Sequence, residues 1–221
     1  MLIKKDPSIQ DFRLVLPVHE YKTYKKRDIK TINKIIVHCT ASNCRKEEEL
    51  FRLAEYDIGP NHISSSGCPG ITYHFMILPD GRLYYTSDIT NITWHAGNFN
   101  SKSIAVSLCY KGDNSFVPSP QIESLYKILS ELCLDLNIDP DNIKGHRELP
   151  GTGYNIVNGI KKLRKVCPGL KINLDNLRYT VSTSVQRTLK GLKYYEDKVD
   201  GVFGRKSEIA LDRYYKDSMA S

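Results

Sequence analysis

No stretch of this 221-residue chain approaches the ~20 consecutive apolar residues that a bilayer-crossing helix needs, so no membrane span is expected. The first residues, MLIKKDPSIQDF, lack the apolar segment that follows the positive charge in a secretory leader. Synthesis and folding in a cytoplasm are therefore expected, with any target beyond the membrane reached by another exit route. Low-complexity tracts and internal repeats are absent, which leaves an ordinary globular composition. The six cysteines (Cys39, Cys44, Cys68, Cys109, Cys133, Cys167) contain no CxxC pair. In a cytoplasmic chain most of them should be reduced, so a disulfide framework is the weaker reading. A Cys44–Cys68 bridge is conceivable but has no support in the pattern.

What the chain does carry is a formal net charge of +7. From Asn176 onward nine Lys/Arg stand against six Asp/Glu, so the excess is spread along the chain apart from the run YKTYKKRDIK at 21–30. Diffuse basicity favours any anionic partner, whether nucleic acid, acidic lipid or an anionic wall, and does not choose between them. The run at 21–30 comes with no nucleic-acid reading motif and no stacking platform, so nucleic acid is not an expected partner.

The hydrophobic pattern divides the chain into a basic arm (1–30), a main domain (31–177) and a small helical unit (178–221). TINKIIVH (31–38) reads as a buried strand. RKEEELFRLAEYDI (45–58) has helical periodicity, and PDG joins two apolar runs in ITYHFMILPDGRLYYTS as a hairpin. SIAVSLCYKG (103–112) is a further strand. SPQIESLYKILSELCLDLNI (119–138) reads as a helix capped by Ser119, with Pro120 in its first position and a stripe of Ile122, Leu125, Ile128, Leu129 and Leu132. NIKGHRELPG suggests a short last strand opening into a loop. Strands mixed with helices around one sheet make the main domain α/β or α+β. The tail reads helix, loop, helix about VDGVFG, and its ~44 residues form a marginal core alone, so it should pack on its neighbour.

Three side chains fall at strand ends or in the loops beside them: His38, His146 and Cys167. Two imidazoles and a thiolate suit a zinc ion that keeps one coordination position open for hydrolysis. Strand ends suit such a role because the backbone fixes the donor while loops leave it reachable. Spacing alone does not join them, and a lone histidine is more often structural. Tyr73 by itself reads as a strand tyrosine covering the core, and Lys165, within KKLRK, as a solvated lysine. His74 falls on the face opposite Tyr73 if the strand is regular, as a core or supporting histidine. Cys39 and Cys109 read as small buried apolar residues.

KIIVHCTAS, GITYHFMILPDGRLY, WHAGNFNSKSIAVSLCYKG, GHREL and KVCPG occur in the order in which zinc N-acetylmuramoyl-L-alanine amidases carry such motifs. The stretch from about 31 to 177 resembles that superfamily of phage-lysozyme-type amidases and peptidoglycan recognition proteins. The resemblance implies a central mixed β-sheet flanked by helices with a zinc cleft along one face. It implies His38, His146 and Cys167 as Zn2+ ligands, Tyr73 and Lys165 as catalytic residues, and His95 and Asn98 along the substrate groove, where Trp94 either stacks on sugar or simply fills a gap. It further implies hydrolysis of the amide between N-acetylmuramic acid and L-alanine in peptidoglycan, with Lys165 stabilising the oxyanion and Tyr73 assisting proton transfer. The tail is similar to the peptidoglycan-binding domain of cell-wall hydrolases through Val185-Gln186, Leu189, DGVFG and Ala210; a hairpin that only stabilises the main domain is the alternative. An amidase without a leader and with such a tail resembles a phage endolysin, expected as a monomer acting on the bacterial wall. A recognition protein that binds the wall without cutting it is the competing class, in which the ligand cysteine is usually lost. One departure stands out: twenty residues separate His146 from Cys167, and this insert could reshape or cover the cleft.

Overall fold

A computed structural model describes residues 1–42, 44–60, 63–151, 154–157, 160–163 and 166–220, with backbone only for 154–157 and 160–163. Within the arm, Ile9–Asp11 forms β1, and Ile3 and Leu16 are buried. Lys34–Cys39 forms β2, whose Ile35, Ile36 and Val37 have no exposed surface. Such an unbroken apolar run belongs to a strand covered on both faces. Helix α1 (Glu48–Ile58) follows, then β3 (Phe75–Ile77) and β4 (Leu83–Tyr85), which pair antiparallel across the PDG turn. Gly81 takes φ +88° in that turn, where an L side chain is strained.

Strand β5 (Ser103–Leu108) precedes α2 (Ser119–Leu136). Leu125, Ile128, Leu129 and Leu132 of α2 are fully buried, and Ile122 sits at the edge of the same core. Ser119 does not cap this helix. The cap position belongs to Pro118, whose carbonyl accepts the Ile122 N–H at 3.1 Å, so Ser119 is already the first helical residue and makes no side-chain cap bond. Ile143–Gly145 forms β6. The sheet order is β1-β4-β3-β5-β2-β6, with every pairing parallel except β3 with β4. Within the long insert, β7 (Tyr154–Val157) and β8 (Ile160–Leu163) form a separate antiparallel pair.

Alternation along β2 divides the two layers. Ile35, Val37 and Cys39 join the large core formed with α2, whereas Ile36 joins Ala96, Leu149 and Phe99 on the other face. On that second face α1 covers only part of the sheet, through Leu50 and Ala54 against Met76 and Tyr84. His38 shares the parity of Ile36 and so stands on the stretch that α1 leaves open.

The helix that leads into the tail starts ahead of residue 178. Helix α3 runs over Leu174–Gly191, capped by the Asn173 side chain accepting from Asn176 N–H at 3.0 Å, and α4 runs over Arg205–Ala220. Leu177, Val181, Val185 and Leu189 of α3 and Ala210 and Leu211 of α4 belong to the same hydrophobic core as α2 and the sheet. The loop between the helices closes on Gln186, whose buried side-chain oxygen accepts from Asp200 and Gly201 N–H while its nitrogen donates to the Val202 carbonyl. Gly201, at φ +76°, is required there, since a Cβ would meet the Tyr179 ring at 2.3 Å. Among the described residues no helix is long and apolar enough to cross a membrane.

Candidate functional site

The end of β2 delivers His38 to the open face, and β6 runs directly into a 3₁₀ turn, His146–Glu148, that delivers His146 beside it. Their rings lie 4.6 Å apart, centroid to centroid. Cys167 completes the group: one donor atom from each of His38, His146 and Cys167 falls within 4.8 Å of the others. His38 Nδ1 faces Cys167 Sγ at 3.7 Å. Bonds of ~2.1 Å to nitrogen and ~2.3 Å to sulfur at a tetrahedral angle would place two such donors about 3.6 Å apart, so this pair fits a shared zinc ion. The Cys39 backbone N–H points at Cys167 Sγ from 3.3 Å, a contact that favours the thiolate.

The other nitrogen of His38 is also committed. Nε2 lies 3.1 Å from His95 Nδ1, His95 Nε2 lies 3.3 Å from Ser103 Oγ, and Ser103 donates to the Phe99 carbonyl at 2.6 Å. One set of protons satisfies the whole chain: His38 donates to His95, His95 to Ser103, Ser103 to the carbonyl. In that assignment His38 Nδ1, which faces Cys167, carries no proton, the form a metal ligand needs. Burial, with His74 and Arg27 nearby, pulls His95 well below the usual histidine range, so it serves as a neutral acceptor. His74 stands behind it as a core histidine without exposure, accepting from Ala105 N–H at 3.0 Å, and burial beside Arg27 takes it down to about 3.

Arg27, from the basic run, is turned inward. It donates to the carbonyls of Ile89, Asn100 and Ser103, and burial lowers it to about 10. Lys22 of the same run is tied to Ser66 and Gly67 and lies 5.8 Å from the Trp94 ring centroid. Part of the basic run is thus engaged within the domain, at the Ser103 carbonyl and beside Trp94.

Above the three donors opens a cavity of about 630 Å³. Tyr73, Trp94, His95 and Asn98 all line it, together with Ile63, Phe99, Pro150 and Gly151. The beginning of the insert therefore forms part of the cleft wall. Tyr73 packs 5.3 Å from the His38 ring; burial first, then the neighbouring Cys167, push its phenol well up, so it remains protonated at neutral pH. His95 both lines the cleft and holds His38, a dual placement that a groove residue alone would not have. Lys165 lies outside the described residues. None of the six cysteines forms a disulfide, Cys44 and Cys68 included. Sequence reasoning missed Ser103 and the Cys39 N–H, because a serine at a strand start and a backbone donor leave no signature in spacing.

A family model described as N-acetylmuramoyl-L-alanine amidase matches residues 28–170. Peptidoglycan-recognition protein SC2 of Drosophila melanogaster is 31% identical over 130 residues, covering 57% of this chain and 71% of that protein. Among solved structures, N-acetylmuramoyl-L-alanine amidase LysC from Clostridium intestinale is 18% identical, with coverage of 78% of this chain and 96% of that one, at TM-score 0.56. Drosophila peptidoglycan recognition protein SA is 15% identical over 77% of this chain and 90% of that one, at TM-score 0.59. At these identities the structural likeness speaks for the fold.

Proposed function

This chain belongs to the N-acetylmuramoyl-L-alanine amidase family, and from that premise we propose that it is a zinc-dependent hydrolase cutting the amide between N-acetylmuramic acid and the L-alanine of the peptidoglycan stem. The observation that carries the reading is the convergence of His38, His146 and Cys167 on one point at the floor of the cavity. These three residues would hold the ion. When bound, zinc supplies a Lewis acid that polarises the scissile carbonyl and makes water acidic enough to ionise near neutral pH. Tyr73, protonated beside His38, would donate a hydrogen bond to the developing oxyanion or hand a proton toward the leaving amine. His95 keeps the His38 imidazole in one tautomer and one orientation. Lys165 is assigned to oxyanion stabilisation on the resemblance alone. Trp94 offers a ring face to a sugar, and exposed Asn98 offers an amide to the stem peptide.

The enzyme reading is preferred to a non-catalytic recognition protein because the ligand cysteine and the cleft tyrosine are both in place. The tail, with its Gln186-closed loop, is proposed to bind wall polymer, and the whole chain is proposed to act as a monomeric endolysin of phage type that reaches the wall from the cytoplasm. Mass spectrometry of digested peptidoglycan is the test. Stems with a free N-terminal L-alanine, lost on chelation and in His146→Ala or Cys167→Ser, are expected. New reducing sugar ends, or undiminished release by either variant, would refute the assignment.

A further inference from the structure

His146 and Cys167 reach the site from separate turns, and one side chain joins the two. We propose that Arg147 is a positioning residue that fixes the Cys167 turn to the His146 turn, so that imidazole and thiolate are presented together. The inference rests on the reading of His38, His146 and Cys167 as the metal-holding set.

The backbone N–H of Arg147 donates to the Cys167 carbonyl at 2.8 Å. Its guanidinium reaches the carbonyls on both sides of the ligand: Nη1 to Val166 at 3.3 Å and to Gly169, and Nη2 to Ile172 at 2.7 Å. No carboxylate pairs with this cation among the described residues, so its donors go to backbone of the Cys167 turn. The His146 turn is itself anchored elsewhere. Glu148 accepts from Gly145 N–H at 2.9 Å and pairs with Arg178 of α3 at 3.0 Å. Arg147 therefore works as a tie between an anchored turn and the turn that carries the sulfur.

Chemistry explains why arginine occupies the position. A planar fork with five fixed donors can hold three diverging carbonyls at once, each bond strengthened by the charge. A lysine ammonium is one point and cannot span them. The Cys167 turn has further supports, from Tyr110 Oη to the Pro168 carbonyl and from Gly169 N–H to Val166 at 2.6 Å, so loss of the arginine fork should loosen the sulfur without melting the domain.

The test uses the full chain as wild type, R147K and R147M, with Co2+ as the probe ion. Cobalt affinity is read by competition against a chelator, sulfur ligation by the thiolate-to-cobalt charge-transfer band, and folding by melting of the metal-free protein. Affinity is expected to fall roughly 10- to 100-fold in both variants, the usual loss for an outer support of a metal ligand. The thiolate band should weaken more than the d–d bands, while metal-free R147K melts within a few degrees of wild type. Affinity and thiolate band within about threefold of wild type in both variants would overturn the assignment alone. A wild-type protein with no thiolate band would overturn the zinc reading and this inference with it. Failure of both variants to fold would make Arg147 a general fold residue and likewise overturn the proposal.

Discussion

Replacing Leu189 by alanine should weaken the cleft from a distance. Leu189 has no exposed surface and lies in α3, beyond the boundary that the sequence pattern places at 178, yet it belongs to the core that unites α2, α3, α4 and the sheet. Truncation removes three carbons, or about 2.4 kcal/mol of transfer free energy at ~0.8 per carbon. A residual cavity adds to this, so a loss of about 3 kcal/mol is expected, within the usual range for buried leucines. At a urea slope of roughly 1–3 kcal/mol/M, the midpoint should fall by about 1 M or more. Trp94, the only tryptophan, lines the cleft and reports the main domain by fluorescence, while far-UV circular dichroism reports all helices. One core requires both signals to shift together in Leu189→Ala. A Trp94 transition that stays at its wild-type midpoint while a separate helical transition moves would refute the argument and make the tail an independent folding unit.

Two further outcomes follow from local features. Glu131, half-buried beside Asp6, is raised to about 7 from an ordinary 4.5, with desolvation the larger cause. The folded form therefore holds an extra proton between these values. Its contribution is fully present below pH 4.5 and is lost as pH rises through 7. Glu131→Gln should remove this slope, so that the variant gains on wild type in urea midpoint from pH 5 to 8; parallel profiles would refute it. Gly112 takes φ +71° and a Cβ there would lie 2.0 Å from Cys39 Sγ. Gly112→Ala should cost about 2 kcal/mol or more from backbone strain and the clash, visible in the same unfolding assay. An unchanged midpoint would show that β2 can shift to admit the methyl group.

Long periodic segments were the legible part of this fold. The stripe of α2 and the apolar run of β2 write their burial directly into residue order, and PDG specifies its hairpin by turn chemistry. The three-residue β1 was not legible, because two or three side chains carry no period, and its pairing partner β4 lies more than seventy residues away in register Ile9 with Leu83. Pro118 preceding Ser119 hid the true start of α2. At the site, His38, His146 and Cys167 were identifiable as zinc-type donors at strand ends, but their convergence became an expectation only through the ordered motifs. The supporting contacts were out of reach. Ser103, Arg27 and Arg147 act through carbonyls and ring nitrogens whose placement depends on the folded backbone.

Parallel pairing has a consequence for how the chain matures on the ribosome. β2 sits between β5 and β6, so the strand that carries His38 gains its second neighbour only once residues 143–145 have emerged. The sulfur that faces His38 arrives 129 positions after it. Non-local pairing of this kind delays consolidation until most of the chain is available. Fragments released early would therefore leave the imidazole on an unfinished sheet, and hydrolytic competence would come at one late moment of synthesis and not build up with chain length.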